Sequence, residues 1–166
     1  MINPVESELA TDKGTNSFEV LNDEAAILPP VITPEIGQKY YTRFTLYYER
    51  SSWPATNYER GALLHFNSEV LLVEMSVSDV TLLLTEDKKK IDSENIEKYT
   101  ETNLMGFGQR LLSAESTPIN KYGDEIAGYI VGGDLQLGMT KQQVLLTRGY
   151  PPKHVTDSLE EDRWVY

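Results

Sequence analysis

The stretch EVLLVEMSVSDVTLLLTEDKKKI, residues 69–91, decides the fold class. Two runs rich in β-branched and aliphatic residues, 69–75 and 79–85, are separated by Ser76-Val77-Ser78. Glu86-Asp87 then divides the second run from a third, 88–91. Short apolar runs with polar breaks between them predict a β-meander. The Lys88-Lys89-Lys90 run reads as a solvated sheet edge, where lysines oppose edge-to-edge pairing; an anionic-lipid contact is the lesser reading.

Upstream, Tyr40 to Tyr48 alternates aromatic and β-branched residues with polar ones, the period of a half-buried strand. Ser51, Ser52, Pro54 and Asn57 predict a loop, Gly61 punctuates it, Ala62 to Phe66 reads as a further strand, and Asn67-Ser68 as a turn. Four or five short strands in succession predict a small antiparallel barrel or sandwich. Downstream the period lengthens. Ile96, Tyr99, Leu104, Phe107, Leu111 and Leu112 fit helical spacing, interrupted by Gly106 and Gly108, and Pro118 opens a second helix through Ile130 that Gly132-Gly133 ends.

The best-specified local signal is GMTKQQVLLTRGYPP, residues 138–152. Thr140 and Gln143 have the spacing of a capping box, and Met139 and Val144 occupy the two positions of a hydrophobic staple, so a helix begins at Lys141. Gly149 can take the left-handed position after the last turn, and Pro151-Pro152 forbid continuation. A helix of about two turns is marginal alone and needs packing through Val144 and Leu145. After a polar loop, Arg163 to Tyr166 begins a strand that needs a pairing partner, either the edge of the preceding β region or another chain. The expected fold class is α+β: a small antiparallel β barrel or sandwich over 38–100, a short helical module with a terminal strand over 101–166, and a disordered acidic linker over 1–37.

Charge narrows the functions. The 26 acidic and 15 basic side chains give a formal net charge of −11, and residues 1–36 hold seven of the acids against the single base Lys13. Such a balance opposes the counterion release that drives nucleic-acid binding. Without cysteine the sequence has no disulfide, thiolate nucleophile or lipidated cysteine, and redox chemistry does not indicate a compartment. No stretch is long and apolar enough for a membrane span, and no signal peptide is present, so export would imply a leader already removed.

No catalytic residue, metal or cofactor is expected. His65 and His154 stand without companions at metal-ligand spacing and read as structural or solvent-facing. Gly106-x-Gly108 does not open a nucleotide-binding pattern. The candidate binding residues are the aromatics that loops or edges could expose, Trp53, Tyr58, Tyr150 and Trp164, with Trp164 weighed toward packing on the Val144 helix.

The run GMTKQQVLLTRGYPP followed by a polar loop and DRWVY resembles the SmpA/OmlA/BamE-like bacterial envelope proteins over about Leu135 to Tyr166. That resemblance implies two helices on a three-stranded antiparallel sheet and, in many members, a lipoprotein that assists outer-membrane protein assembly. This chain ends at its first strand. More weakly, Ala55-Thr56-Asn57-Tyr58-Glu59-Arg60-Gly61 before a strand is similar to bacterial Src-homology-3-like domains that bind peptides or cell wall. Neither resemblance carries a catalytic residue. Together they imply a non-enzymatic, periplasmic or outer-membrane-associated interaction protein with a protein or cell-wall partner. Peripheral membrane association would run through an N-terminal anchor outside this sequence, and self-association through the terminal strand. A secreted or periplasmic inhibitor or binding protein is the alternative by analogy of fold alone, with a hydrolase behind it.

The cap gives an energetic expectation. Thr140→Ala should lower stability by ~1 kcal/mol, read from the urea midpoint, and Val144→Ala by more. An unchanged midpoint for Thr140→Ala would place the helix start elsewhere.

Overall fold

A computed structural model describes residues 17–22, 30–54 and 59–166. Ten strands and four α-helices follow one another: β1 (Ser17–Glu19), β2 (Lys39–Thr42), β3 (Leu46–Tyr48), β4 (Ser52–Pro54), β5 (Ala62–Leu64), β6 (Glu69–Ser76), β7 (Asp79–Leu84), β8 (Lys90–Glu94), α1 (Glu97–Thr100), α2 (Leu104–Leu111), β9 (Leu112–Ser113), α3 (Asp124–Gly132), α4 (Lys141–Arg148) and β10 (Arg163–Val165). The class is α+β.

The meander forms the centre. β6, β7 and β8 pair antiparallel in sequence, and the sheet extends to six strands in the order β4-β8-β7-β6-β2-β9. Alternation puts Val70, Leu72, Val80, Leu82, Leu84 and Ile91 into one core, and an irregularity between Leu72 and Glu74 shifts the register of β6. The sheet is open and does not close into the expected barrel, and its β4–β8 pair is parallel. The expected single strand Tyr40 to Tyr48 divides, because the Arg43 N–H bonds to the Leu111 carbonyl and the chain then leaves β2 for a separate two-stranded ribbon, β3–β5. The lysine run lies at the β7–β8 turn, where Lys88 has φ 61° and Lys89 sits 4.6 Å from the Tyr48 ring centroid. It is not a bare sheet edge, since β8 has β7 on one side and β4 on the other.

The helical spacing after Asp92 resolves into two pieces. β8 persists to Glu94, Asn103 caps α2 through Gly106 N–H, and Leu112 already belongs to β9. Phe107, Leu111 and Leu112 fill the same core as the sheet, so the boundary expected at residue 100 falls inside a continuous core. Gly108 packs where Pro34 crosses α2: a Cβ there would lie 3.2 Å from the Pro34 ring. The helix expected from Pro118 is broken at Gly123 (φ 82°) into a short 3-10 turn, Asn120–Tyr122, and α3. Gly133, in the left-handed conformation, ends α3.

Residues 1–16 and 23–29 of the expected linker lie outside the described residues. The rest of that segment is folded. Ser17↔Val165, Phe18↔Trp164 and Glu19↔Arg163 pair antiparallel, so within the chain the terminal strand pairs with the acidic N-terminal segment and not with the edge of the β region. Val20 then enters a small core with Met139, Val144 and Trp164. The backbone of Leu21 bonds to Met139 and Lys141, fastening the segment to the start of α4. Pro34 is buried and Ile32 packs on the main core.

Val20 is 3% exposed and Leu21 50%. Val20→Ala should therefore cost ~2 kcal/mol in urea denaturation, from two buried methyl groups and the cavity they leave. Leu21→Ala should stay within about 0.5 kcal/mol. Equal, small effects would mean that β1 does not dock in solution.

Candidate functional site

The residues that form the candidate site come from four separate parts of the chain. Trp53 on β4, Phe44 between β2 and β3, and Phe107 on α2 form an aromatic stack: Trp53 lies 5.5 Å from Phe107 at an interplanar angle of 11°, and 5.7 Å from Phe44 at 57°. Above this stack Tyr99, Thr100, Arg110, Arg148, Tyr150, Pro151 and Pro152 complete a narrow slot of about 20 Å³, room for one or two waters. The slot shares Tyr99, Thr100, Arg110, Tyr150 and Pro151 with a wider surface groove of about 250 Å³ that runs on past Lys153 to Leu159.

The end of α4 fixes the upper wall. Both halves of the expected capping box are present: the Gln143 N–H donates to Thr140 Oγ1 (3.3 Å) and the Thr140 N–H to Gln143 Oε1 (2.9 Å). Gly149 ends the helix with φ 79° and ψ −159°, a positive φ outside the expected left-handed helical region. The close approach of Phe44 also requires glycine here, since a Cβ would lie 2.7 Å from that ring. The Tyr166 hydroxyl donates to the Gly149 carbonyl (2.8 Å), and the Lys153 N–H to the Tyr99 carbonyl (2.8 Å), holding the Tyr150-Pro151-Pro152 turn against α1.

Three guanidiniums converge beneath this turn. Arg148 is 3% exposed, pairs with Glu59 at 2.6 Å, and lies between the rings of Tyr47 (5.1 Å) and Tyr166 (5.7 Å). Burial raises the phenol pKa of Tyr166 well above its ordinary value, keeping it a hydrogen-bond donor. Arg110 stacks 4.4 Å from the Tyr150 ring and donates to the Thr100 carbonyl (2.7 Å). Arg43 donates to the Gln109 carbonyl (2.8 Å) and, with Arg110, Tyr150 and Phe44, lines a small adjoining cleft. Burial draws the pKa of Arg43 and of Arg110 below the usual guanidinium value. Among the described residues neither has a carboxylate within ion-pair distance, whereas Lys39, Arg60, Arg148 and Lys153 each have one.

Of the four candidate aromatics, the structure brings Tyr150 and Trp53 to this site, but in different roles. Tyr150 is half-buried in its wall, whereas Trp53, 1% exposed, is its floor and not an exposed anchor. Trp164 is equally buried, with its indole N–H donating to the Glu161 carbonyl (3.0 Å) and its ring packed among Val20, Met139 and Val144. Tyr58 lies outside the described residues. Arg43 and Arg110 carried no motif in the sequence, and Tyr99 and Phe107 carried only a helical spacing; tertiary folding assembles the four. His65 approaches the Val131 carbonyl at 2.8 Å, and His154 lies against the Tyr99 ring at 4.6 Å. Among the described residues no group of three or more His, Asp or Glu side chains could hold a metal ion, and no helix is long and apolar enough to cross a membrane.

The two glycines flanking α4 separate backbone strain from steric clash. Gly138 has φ 85° with open space at its Cβ position, so Gly138→Ala should cost ~1–2 kcal/mol of stability. Gly149→Ala adds collision with Phe44 and should cost ~3 kcal/mol or more, measured in the same urea titration.

Comparison with protein-family models, with curated proteins and with solved structures finds no match to this chain.

Proposed function

We propose that this chain is a non-enzymatic interaction protein of the bacterial envelope and that it docks a protein or cell-wall partner in the groove around Tyr150. One observation carries the reading: aromatic rings, prolines and guanidiniums, the side chains that most often anchor contacts, meet in a slot that opens into a surface groove. Rigid rings lose little entropy on binding, and Arg110 is already held over Tyr150 and tied to the Thr100 carbonyl. Preorganised groups of this kind favour contact at low ordering cost.

The envelope assignment has separate support. α3, α4 with its capping box and glycine-proline stop, and the following strand have the order that the resemblance to SmpA/OmlA/BamE-like proteins implies. The sheet differs, being a two-stranded ribbon closed by β1. A periplasmic or outer-membrane-associated location and a part in outer-membrane assembly follow from that resemblance and stand or fall with it.

Site-specific photo-crosslinking in a bacterial envelope extract tests the groove. Leu159 lines it, whereas Val77 is fully exposed in the β6–β7 hairpin. A crosslinker at position 159 should trap a discrete protein or wall fragment, and one at position 77 should not. The same products from both positions, or none from 159, would exclude this groove as the docking site.

A further inference from the structure

Arg43 and Arg110 pose a physical question. Each is partly buried, each donates to a backbone carbonyl, and neither has a carboxylate within ion-pair distance among the described residues, although Glu101 favours the charged form of Arg110 from farther off. The chain carries 26 acidic side chains, and four of its other cations have found one. A desolvated guanidinium without a direct ion pair is costly, and its planar fork has five donors matched to a carboxylate. Both arginines flank Tyr150, where slot, groove and cleft meet.

Shape restricts what would supply the negative charge. The slot, about 20 Å³, is too small for a sugar ring or a nucleotide base, and its floor is the apolar stack of Phe44, Trp53 and Phe107. It suits an apolar group of one or two heavy atoms, such as the methyl of an alanine side chain. The groove of about 250 Å³ leads away from the slot and has room for a few residues of extended chain; Glu101 and Asp157 in its lining are both paired with Lys153. Arg110 stands at the junction of the two. A polypeptide that runs along the groove and ends at the slot would bring one apolar side chain to the floor and one carboxylate to the guanidinium. A single charge is also what a chain of net charge −11 tolerates best, because a polyacidic partner would be repelled at long range.

We propose that the Arg110–Tyr150 slot, with Arg43 beside it, captures the C-terminal carboxylate of a partner protein whose last residue is small and apolar. This rests on the reading of the groove as a docking site and names the chemical group it selects.

The test uses the full chain and three fluorescein-labelled pentapeptides in anisotropy titrations: one ending in alanine with a free carboxylate, the same peptide as its C-terminal amide, and an amide with glutamate in place of alanine. The free acid should bind at least about tenfold tighter than either amide, the worth of a charge-assisted hydrogen-bond pair. Arg110→Lys, which keeps the charge and loses the fork, should weaken the free acid about fivefold or more and leave the amides unchanged. Equal affinity of the free acid and its amide for the unsubstituted chain overturns the proposal without depending on any variant folding. Tighter binding of the glutamate amide than of the free acid would also overturn it, by moving the preference to an acidic side chain. Either failure leaves crosslinking at Leu159 intact, whereas loss of that crosslink would remove the docking groove itself.

Discussion

The carboxyl end of α3 is the constraint on which the arrangement depends. The last carbonyls of a helix have no partner within it and must find donors elsewhere. Here the donors come from the β3–β5 region: Thr45 Oγ1 reaches the Ile130 carbonyl at 2.9 Å, the Tyr47 hydroxyl reaches Gly133 at 3.2 Å, and His65 Nδ1 reaches Val131 at 2.8 Å. Thr45 is buried and its hydroxyl also accepts from the Phe66 N–H (3.0 Å), so one side chain joins both ribbon strands to the helix end. Gly133 is close to obligatory there, since a Cβ would lie 2.8 Å from the Tyr47 hydroxyl. With α3 fixed, Phe66, Ile130 and Leu146 form a core that seats α4, and α4 in turn carries Arg148 and delivers Tyr150 to the slot.

A second fastening comes from the two ends of the described chain. β1 and β10 are three residues each, too short to persist as an isolated ribbon. They hold because Val20 and Trp164 bury together against Met139 and Val144, and because the Thr156 hydroxyl accepts from the Val165 N–H (2.7 Å) on the far edge of β10. The ribbon thus steadies the start of α4 while α3 steadies its packing face. A helix of eight residues with both restraints becomes a firm support for the candidate site.

Electrostatics at the slot runs against the average of the molecule. Net charge describes the far field, whereas recognition at contact distance depends on which charges are desolvated and what faces them. Arg43 and Arg110 line the cleft beside Phe44, and the Tyr150 ring face, with Glu101 farther off, offsets part of the desolvation of Arg110. Glu59 answers only the deepest of the three, Arg148. An acidic protein can in this way keep a small cationic site whose chemistry its composition conceals.

What the sequence determined by itself was local. The meander over residues 69–91, the capping box at Thr140 and Gln143, the staple of Met139 with Val144 and the stop at Gly149 are set by hydrogen bonds and packing among near neighbours, so residue type and spacing suffice to read them. Tertiary structure decided the rest. A small antiparallel barrel or sandwich was expected because short strands with turns fit either, but which edges meet depends on contacts between distant residues, and Arg43 turning toward Leu111 left the sheet open. The acidic N-terminal segment read as a linker by composition, yet residues 17–19 within it pair with β10 and Val20 buries beside Trp164. Trp53 was expected to be exposed because turn residues surround it, and became a core floor once Phe44 and Phe107 closed on it. Arg43 and Arg110 had no signal at all, because a site assembled from a strand connection, a helix and a turn separated by scores of residues has no spacing to read.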